Sequence, residues 1–130
     1  MSKYKQKIGK WGEGTAEAYL IKRGYTIIGR NFHSSAGEID IIAQQEEAGE
    51  KILIFVEVKT RTSKLYGNPE DAFTWKKWNH LMGAIEAFLT QYPEYNAGWQ
   101  VDVIAIQRLS ESDPPDIQHF ENIVMDDGRL

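Results

Sequence analysis

The segment Ile52–Arg61, ILIFVEVKTR, decides the fold. Its first half is apolar at every position, which is typical of a strand covered on both faces, so it predicts a central strand. From Glu57 onward the pattern alternates, and the side chains of Glu57, Lys59 and Arg61 point to one face of the strand. Charge is therefore expected where a buried strand emerges into a cleft.

A second strand is predicted at residues 38–44, and it carries Asp40 among isoleucines. A lone carboxylate in such surroundings is costly unless it is paired or binds a metal ion. If the two strands are neighbours, Asp40 and Glu57 approach closely enough to share one ion, and their mutual repulsion favours a cation between them. Because the chain has no cysteine, we expect a hard cation, Mg²⁺ or Mn²⁺.

Lys59 projects on the same face as Glu57, two residues earlier in the strand. In a hydrolytic site it would orient the attacking water or stabilise negative charge on phosphate oxygens. The alternative is a plain ion pair of Lys59 with Glu57 or with Asp40 on a half-exposed sheet. The strand pattern alone leaves both interpretations open.

Periodicity and breaker residues predict the remaining elements. Helices are expected at residues 4–23 and 69–91, and strands at 25–31, 38–44, 52–61, 100–107 and 117–124. Gly24 is the expected C-cap of the first helix, while Asn68 and Pro69 suit the N-cap and first position of the second. The step from the third strand through a helix to the fourth implies a parallel pairing. The prediction is one α/β domain spanning residues 1–130, with order α-β-β-β-α-β-β and a mixed sheet of about five strands flanked by helices.

Composition limits the class of protein. The chain has 130 residues, 42% hydrophobic and 26% charged, which is ordinary for a soluble globular protein. Its longest aliphatic or aromatic run, Ile52–Val56, is far too short for a membrane span. The basic N-terminal residues have no apolar core behind them and do not suit a signal peptide. We therefore expect a cytoplasmic protein without a membrane partner.

Charge is distributed unevenly along the chain. The net charge of −4 argues mildly against a nucleic-acid partner. Residues 1–80, however, hold 13 Lys and Arg against 10 Asp and Glu, whereas residues 81–130 hold 2 against 9. This asymmetry is compatible with one phosphate-facing surface and equally with an ordinary solvated one. The candidate nucleic-acid-binding residues are Lys10, Arg30, Arg61, Lys64 and Lys77.

Further candidates lie on other elements. Glu13 shares a helix stripe with small and apolar residues, so it is a candidate metal ligand, a partner for Lys59, or a surface carboxylate paired with Lys10. Lys77 lies on a core-facing row of the second helix and either contacts phosphate or extends outward to water. Asp102, in a strand, is expected to brace a buried lysine or arginine, or to cap the strand start.

The aromatic residues and histidines are less informative. The three histidines show no ligand spacing and are interpreted as ordinary polar or stacking residues. The four tryptophans can stack on bases, although aromatic residues more often belong to the core. They are Trp11, Trp75, Trp78 and Trp99.

Two segments resemble a known signature. Gly37–Ala43, GEIDIIA, followed by Phe55–Arg61, FVEVKTR, resembles that of PD-(D/E)XK nucleases. More narrowly, nearly the whole chain is similar to the YraN-like family of bacterial proteins, whose fold is similar to archaeal Holliday-junction resolvases. Later landmarks such as Tyr66–Pro69 and Val101–Val103 match that family as well.

The resemblance implies a restriction-endonuclease-like core and a role for each matching residue. Asp40 and Glu57 would ligate the divalent metal with help from the Val58 carbonyl, Lys59 would activate water, and Glu13 would take the place of the helix carboxylate. One departure is Gln100-Val101, where relatives tend to carry Arg-Phe before the aspartate, which puts an arginine role there in doubt.

The function expected from these observations is metal-dependent phosphodiester hydrolysis of DNA by an endonuclease-like protein. Branched or damaged DNA is a candidate substrate, RNA is not excluded, and a symmetric junction would call for a homodimer. One alternative is a nucleic-acid-binding module with a nuclease-like fold and little catalysis. Another is a protein-interaction subunit whose acidic C-terminal half docks a partner.

Overall fold

The computed structural model of the chain describes residues 3–62, 74–95 and 98–125. Within these residues the order is α-β-β-β-α-β-β, as predicted. The elements are α1 (Lys3–Lys22), β1 (Thr26–His33), β2 (Glu38–Glu47), β3 (Glu50–Arg61), α2 (Trp75–Gln91), a 3₁₀ turn (Pro93–Tyr95), β4 (Trp99–Gln107) and β5 (Asp116–Phe120). None of the described helices is both long enough and apolar enough to cross a membrane.

The strands form one mixed sheet in the order β1-β2-β3-β4-β5. The pairs β1–β2, β2–β3 and β4–β5 are antiparallel, and β3–β4 is parallel. The parallel pair confirms the predicted crossover through α2. It places β3 at the centre of the sheet, as its apolar first half predicted.

The core has two parts, one on each face of the sheet. On the α1 side, the buried side chains include Ala16, Leu20, Val56, Ile104 and Ile106. On the α2 side, they include Ile42, Phe55, Leu81, Phe88 and Val101. Neighbouring residues of β3 thus enter opposite cores, which is why this strand is apolar on both faces.

The end of α1 follows the sequence prediction. Gly24 has a φ of 93°, which favours glycine, and its N–H donates to the Ile21 carbonyl at 3.0 Å. The N–H of Tyr25 donates to the Leu20 carbonyl at 3.0 Å. These two bonds form a Schellman motif, so Gly24 caps the helix and turns the chain into β1.

Several predicted boundaries are wrong, and β5 ends at Phe120 instead of at residue 124. Residues 45–51, which the strand prediction leaves as a loop, are mostly extended, because β2 and β3 continue toward each other and leave only Ala48 and Gly49 between them. Both residues have a positive φ, 52° and 81°, which suits a two-residue hairpin turn. Helix α2 does not begin at Pro69, because Thr74 has extended backbone angles and its hydroxyl accepts the Lys77 N–H at 3.3 Å as the N-cap. Asn68, Pro69 and Tyr66–Pro69 as a whole lie outside the described residues.

Candidate functional site

Strands β2 and β3 separate at Asp40. Their register runs from the Glu47–Glu50 pair to the Ile41–Val56 pair. Beyond it, the Val58 N–H donates to Oδ2 of Asp40 at 2.8 Å instead of to a backbone carbonyl. Because the N–H and C=O of one strand residue face the same neighbouring strand, the Val58 carbonyl also faces this gap. The gap therefore brings together a carboxylate and a carbonyl oxygen.

The surroundings of Asp40 change the pKa of its carboxyl group strongly. Burial, followed by the negative charge of Glu57, raises its pKa from 3.8 to about 8, although the hydrogen bond from Val58 acts in the opposite direction. The charge of Glu13 contributes further to the increase, and Lys59 opposes it. The Glu57 carboxylate is thus close enough to disfavour ionisation of Asp40, a situation that a bound cation relieves.

Glu57 and Lys59 form an ion pair on β3. The Lys59 Nζ lies 3.0 Å from Oε1 of Glu57, and the two side chains are 10% and 15% exposed, respectively. This is one of the two ion pairs that the strand pattern left open. An ammonium group has three donors, so the pair leaves Lys59 further N–H groups for a water or a phosphate oxygen.

The charge of Glu13, on α1, acts on the same site. Burial raises the pKa of this half-buried carboxyl, and the charges of Glu38 and Glu57 add to the rise, whereas a hydrogen bond from Asn31 lowers it. The structure pairs Lys59 with Glu57 and gives Glu13 the Asn31 side chain, so Glu13 does not act as the holder of Lys59. Asn31 has a φ of 48°; the sequence showed it only as part of a family landmark, Arg30-Asn31, and gave it no role.

Positive charge gathers beside the carboxylates. Burial, together with a contact to Lys59 and the charges of Lys59 and Arg61, lowers the pKa of Lys77 from 10.5 to about 8. The Arg61 Nε is buried without a hydrogen-bond partner among the described residues. Three cationic side chains from β3 and α2 therefore converge where an anion would be stabilised.

The other predicted nucleic-acid-binding residues lie elsewhere. Lys10 is exposed and its charge acts on Glu13. Arg30 is engaged in a two-pronged ion pair with Glu17, with Nε 2.8 Å from Oε2, which lowers the pKa of Glu17. Lys64 lies outside the described residues. The structure thus brings Arg61 and Lys77, but not Arg30, into the group around Lys59.

Among the described residues, the partners of Asp102 are Gln100, His119 and Asn122, and not the lysine or arginine that the sequence suggested. Asp102 is fully buried, and its Oδ1 accepts from Gln100 Nε2 and from the Asn122 N–H, both at 2.9 Å. Its Oδ2 lies 2.7 Å from Nε2 of His119. This contact needs the β4–β5 register, in which His119 faces Ile104, two residues from Asp102, so sequence spacing could not reveal it.

A second group of possible metal ligands surrounds this buried aspartate. One ligand atom from each of Asp102, His119 and Glu121 lies within 4.8 Å of the others. The Asp102 carboxylate already accepts hydrogen bonds at both oxygens. These bonds stabilise the buried carboxylate without a cation. His119 is therefore a structural partner of Asp102 that the sequence interpretation missed.

Comparison with known proteins identifies the family. The model of the uncharacterised protein family UPF0102 matches residues 12–106, a range that includes Glu13, Asp40, Glu57 and Lys59. A UPF0102 protein of Syntrophomonas wolfei is 38% identical over 117 residues, covering 90% of this chain and 96% of that relative. A UPF0102 protein of Clostridium perfringens is 41% identical over 106 residues, covering 82% and 84%, respectively. The chain therefore belongs to the UPF0102 family, which confirms the YraN-like resemblance of its sequence.

Proposed function

We propose that this UPF0102 protein is a metal-dependent phosphodiester hydrolase of the PD-(D/E)XK type that acts on DNA. The observation that best supports this proposal is the pair of carboxylates at the gap between β2 and β3. The negative charge of Glu57 helps to raise the pKa of the buried Asp40, and Lys59 lies beside Glu57. A perturbed carboxyl in a cleft with a specific charged partner is typical of functional sites.

The donor set fits a hard divalent cation. Asp40 Oδ1, the Glu57 carboxylate and the Val58 carbonyl would hold Mg²⁺ or Mn²⁺, since these ions prefer oxygen ligands. The Val58 N–H fixes Oδ2 of Asp40 and so orients the other oxygen of the same carboxylate. When bound, the ion would supply Lewis-acid polarisation of a phosphate oxygen and a lower pKa for a coordinated water.

Lys59 would donate hydrogen bonds to the attacking water or to the phosphate oxygens. Glu57 holds the ammonium group at 3.0 Å, which fixes its position before substrate arrives and reduces the reorganisation that the reaction requires. Glu13, held by Asn31, would be the helix carboxylate of this site. The raised pKa of Glu13 means that its surroundings disfavour the ionised carboxylate, and a nearby cation would stabilise that ionised form.

A polynucleotide backbone suits the cations beside the carboxylates. The ammonium groups of Lys59 and Lys77 lie together with Arg61, and like charges at this spacing repel unless an anion lies among them. A phosphodiester is an anion, and its position there would be next to the proposed metal ion. The restriction-endonuclease-like core is part of the same proposal.

One observation favours the binding module as a second candidate. The Glu57–Lys59 ion pair is mostly buried, and a stable ion pair can hold both groups away from catalysis. In that case the protein would bind DNA through the cations without cutting it.

A cleavage assay separates the two. The protein is incubated with flap, four-way-junction and single-stranded DNA in Mg²⁺ or Mn²⁺, together with matched RNA strands and the variants Asp40→Ala and Lys59→Ala. Cleavage that both substitutions abolish supports the hydrolase. Salt-sensitive binding without cleavage by the wild-type protein would support the binding module instead. Size-exclusion chromatography with and without the junction tests whether two copies assemble on it.

A further inference from the structure

A groove of about 650 Å³ lies between α1 and the edge strand β5. Its walls include Trp11, Ala18 and Tyr19 of α1 and Ile117 of β5. Tyr19 of α1 hydrogen-bonds with His119 of β5, whereas Glu17 of α1 accepts a hydrogen bond from Arg30 of β1. The groove is therefore on the flank of α1 away from β1, and its volume suits one small planar molecule.

A chain of hydrogen bonds ends at this groove. The buried Asp102 Oδ2 lies 2.7 Å from His119 Nε2, and His119 Nδ1 lies 3.1 Å from the Tyr19 hydroxyl. A carboxylate only accepts hydrogen bonds, so Nε2 of the imidazole carries a proton. In the tautomer protonated at Nε2, His119 Nδ1 accepts a hydrogen bond from the Tyr19 hydroxyl. Tyr19 consequently offers the groove only the lone pairs of its oxygen.

A second hydroxyl in the groove has the same character. Thr15 lines the groove, and its hydroxyl donates to the Trp11 carbonyl at 2.8 Å. The proton of the Thr15 hydroxyl is therefore already used in a hydrogen bond within the protein, and only the lone pairs of its oxygen remain for a ligand. The two hydroxyls favour a ligand with N–H donors and disfavour one that presents carbonyl oxygens at the same positions.

Cations lie around these aromatic walls. The Arg23 guanidinium lies 4.6 Å from the centroid of the Tyr19 ring, and that of Arg108 lies 3.9 Å from the centroid of the Trp11 ring. Lys22 is exposed and lines the groove itself. A planar ring that bears N–H groups and is attached to a phosphate would match the aromatic walls, the acceptors and the cations at once.

We propose that this groove binds one unpaired nucleotide of a nucleic-acid strand and prefers bases with an exocyclic amino group over thymine. The inference rests on the proposed function for its choice of partner, a polynucleotide, and adds a second contact on the far side of α1. Thymine presents two carbonyl oxygens beside its N–H, whereas cytosine, a ring of equal size, presents an amino group. The two rings have the same size, and the 5-methyl group of thymine adds apolar area that favours thymidylate, so tighter cytidylate binding reports the hydrogen-bonding preference.

The test is strand binding without metal, which separates it from cleavage. Fluorescein-labelled oligomers of about 12 cytidylates or 12 thymidylates are titrated with the full chain in EDTA, with anisotropy as the readout. We expect the wild-type protein to bind the cytidylate strand several-fold more tightly. Gly14→Leu, which extends into the groove from open space at that Cβ, is expected to weaken cytidylate binding about tenfold. Gly9→Leu is the matched control, since its Cβ also meets open space on α1 but Gly9 does not line the groove.

Tyr19→Phe keeps the aromatic wall and removes the acceptor. It is expected to bring the ratio of cytidylate to thymidylate affinity close to one, while circular dichroism reports the same fold. Gly14→Leu binding like the wild-type protein, equal wild-type affinity for the two strands, or no strand binding at all would overturn the groove proposal. Strand binding of the expected pattern by a protein that cleaves nothing in Mg²⁺ would overturn the hydrolase and leave the groove in place.

Discussion

The N–H of Val58 donates to Oδ2 of Asp40 at 2.8 Å, so a side chain of β2 replaces the backbone partner that β3 would otherwise have. The bond holds one carboxylate at the point where the two strands separate. It also leaves the Val58 carbonyl directed into the same gap. Local loss of strand pairing thus produces the polar opening in an otherwise apolar sheet.

The raised pKa of Asp40 predicts that metal-free stability falls as pH rises. Its folded pKa of about 8 lies above the ordinary value of 3.8, so the folded state keeps a proton that the unfolded chain loses. The stabilisation is present at low pH and disappears between about pH 4 and pH 8. We expect Asp40→Asn to remove most of this slope and to stabilise the protein by about 2 kcal/mol at pH 8 in EDTA. Urea unfolding at several pH values measures both.

The exposed Asp113 provides the control for this prediction, because Asp113→Asn makes the same chemical change on the surface. It should leave the pH slope as in the wild-type protein. Millimolar Mg²⁺ should raise the wild-type stability at pH 8 and leave that of Asp40→Asn nearly unchanged. A wild-type stability that rises from pH 4 to pH 8 in EDTA would contradict the assignment of a proton to Asp40.

Lys59→Met should slow cleavage strongly without unfolding the protein. Methionine keeps the stem of this 10%-exposed side chain and removes its charge, although it leaves Glu57 without its partner. We expect single-turnover cleavage to fall by about 10²-fold or more, while Mg²⁺ still stabilises the variant. Lys51→Met, at the exposed start of β3, should cleave at the wild-type rate. Equal cleavage rates for Lys59→Met and Lys51→Met would show that Lys59 takes no part in the reaction.

Lys77→Met should weaken binding of duplex DNA and reduce its dependence on salt. The lowered pKa of Lys77 reflects burial and the neighbouring Lys59 and Arg61, and a phosphate among them would relieve that repulsion. We expect a several-fold weaker affinity and a slope of log affinity against log salt that is smaller by about one. The adjacent exposed Lys76 supplies the control, and an identical salt slope for Lys76→Met and Lys77→Met would show that Lys77 meets no phosphate.

The sequence predicted the architecture because the relevant signals are local. The apolar first half of β3 required cover on both faces, Gly24 supplied the positive φ of a helix end, and the helix between β3 and β4 required a parallel crossover. These features depend on residue type and spacing alone. The element order follows from them without knowledge of any tertiary contact.

The details of the site depend on contacts that spacing does not encode. Asn31 adopts a φ of 48° opposite the Asp40 region of β2, and Phe32 and Ile39 both pack on the α2 side together with Ile42. Strict alternation would place Ile39 and Ile42 on opposite faces, so it fails here. The Asp102–His119 contact likewise needs the register of β5. Alternation therefore identified the candidate site residues but not how they contact one another.

Gly12 tests whether the close approach of α1 to β3 supports the site. A Cβ at this buried glycine would lie 2.0 Å from Oγ1 of Thr60, the residue after Lys59. Gly12→Ala should therefore push α1 away and lower the free energy of unfolding by about 1–3 kcal/mol, even though alanine favours helix by about 1 kcal/mol. Gly14→Ala makes the same change two residues later, where the Cβ meets open space, and should stabilise the protein. The double variant with Thr60→Ala should recover much of the loss by chemical denaturation, whereas a Gly12→Ala protein as stable as Gly14→Ala would show that the helix does not need this contact.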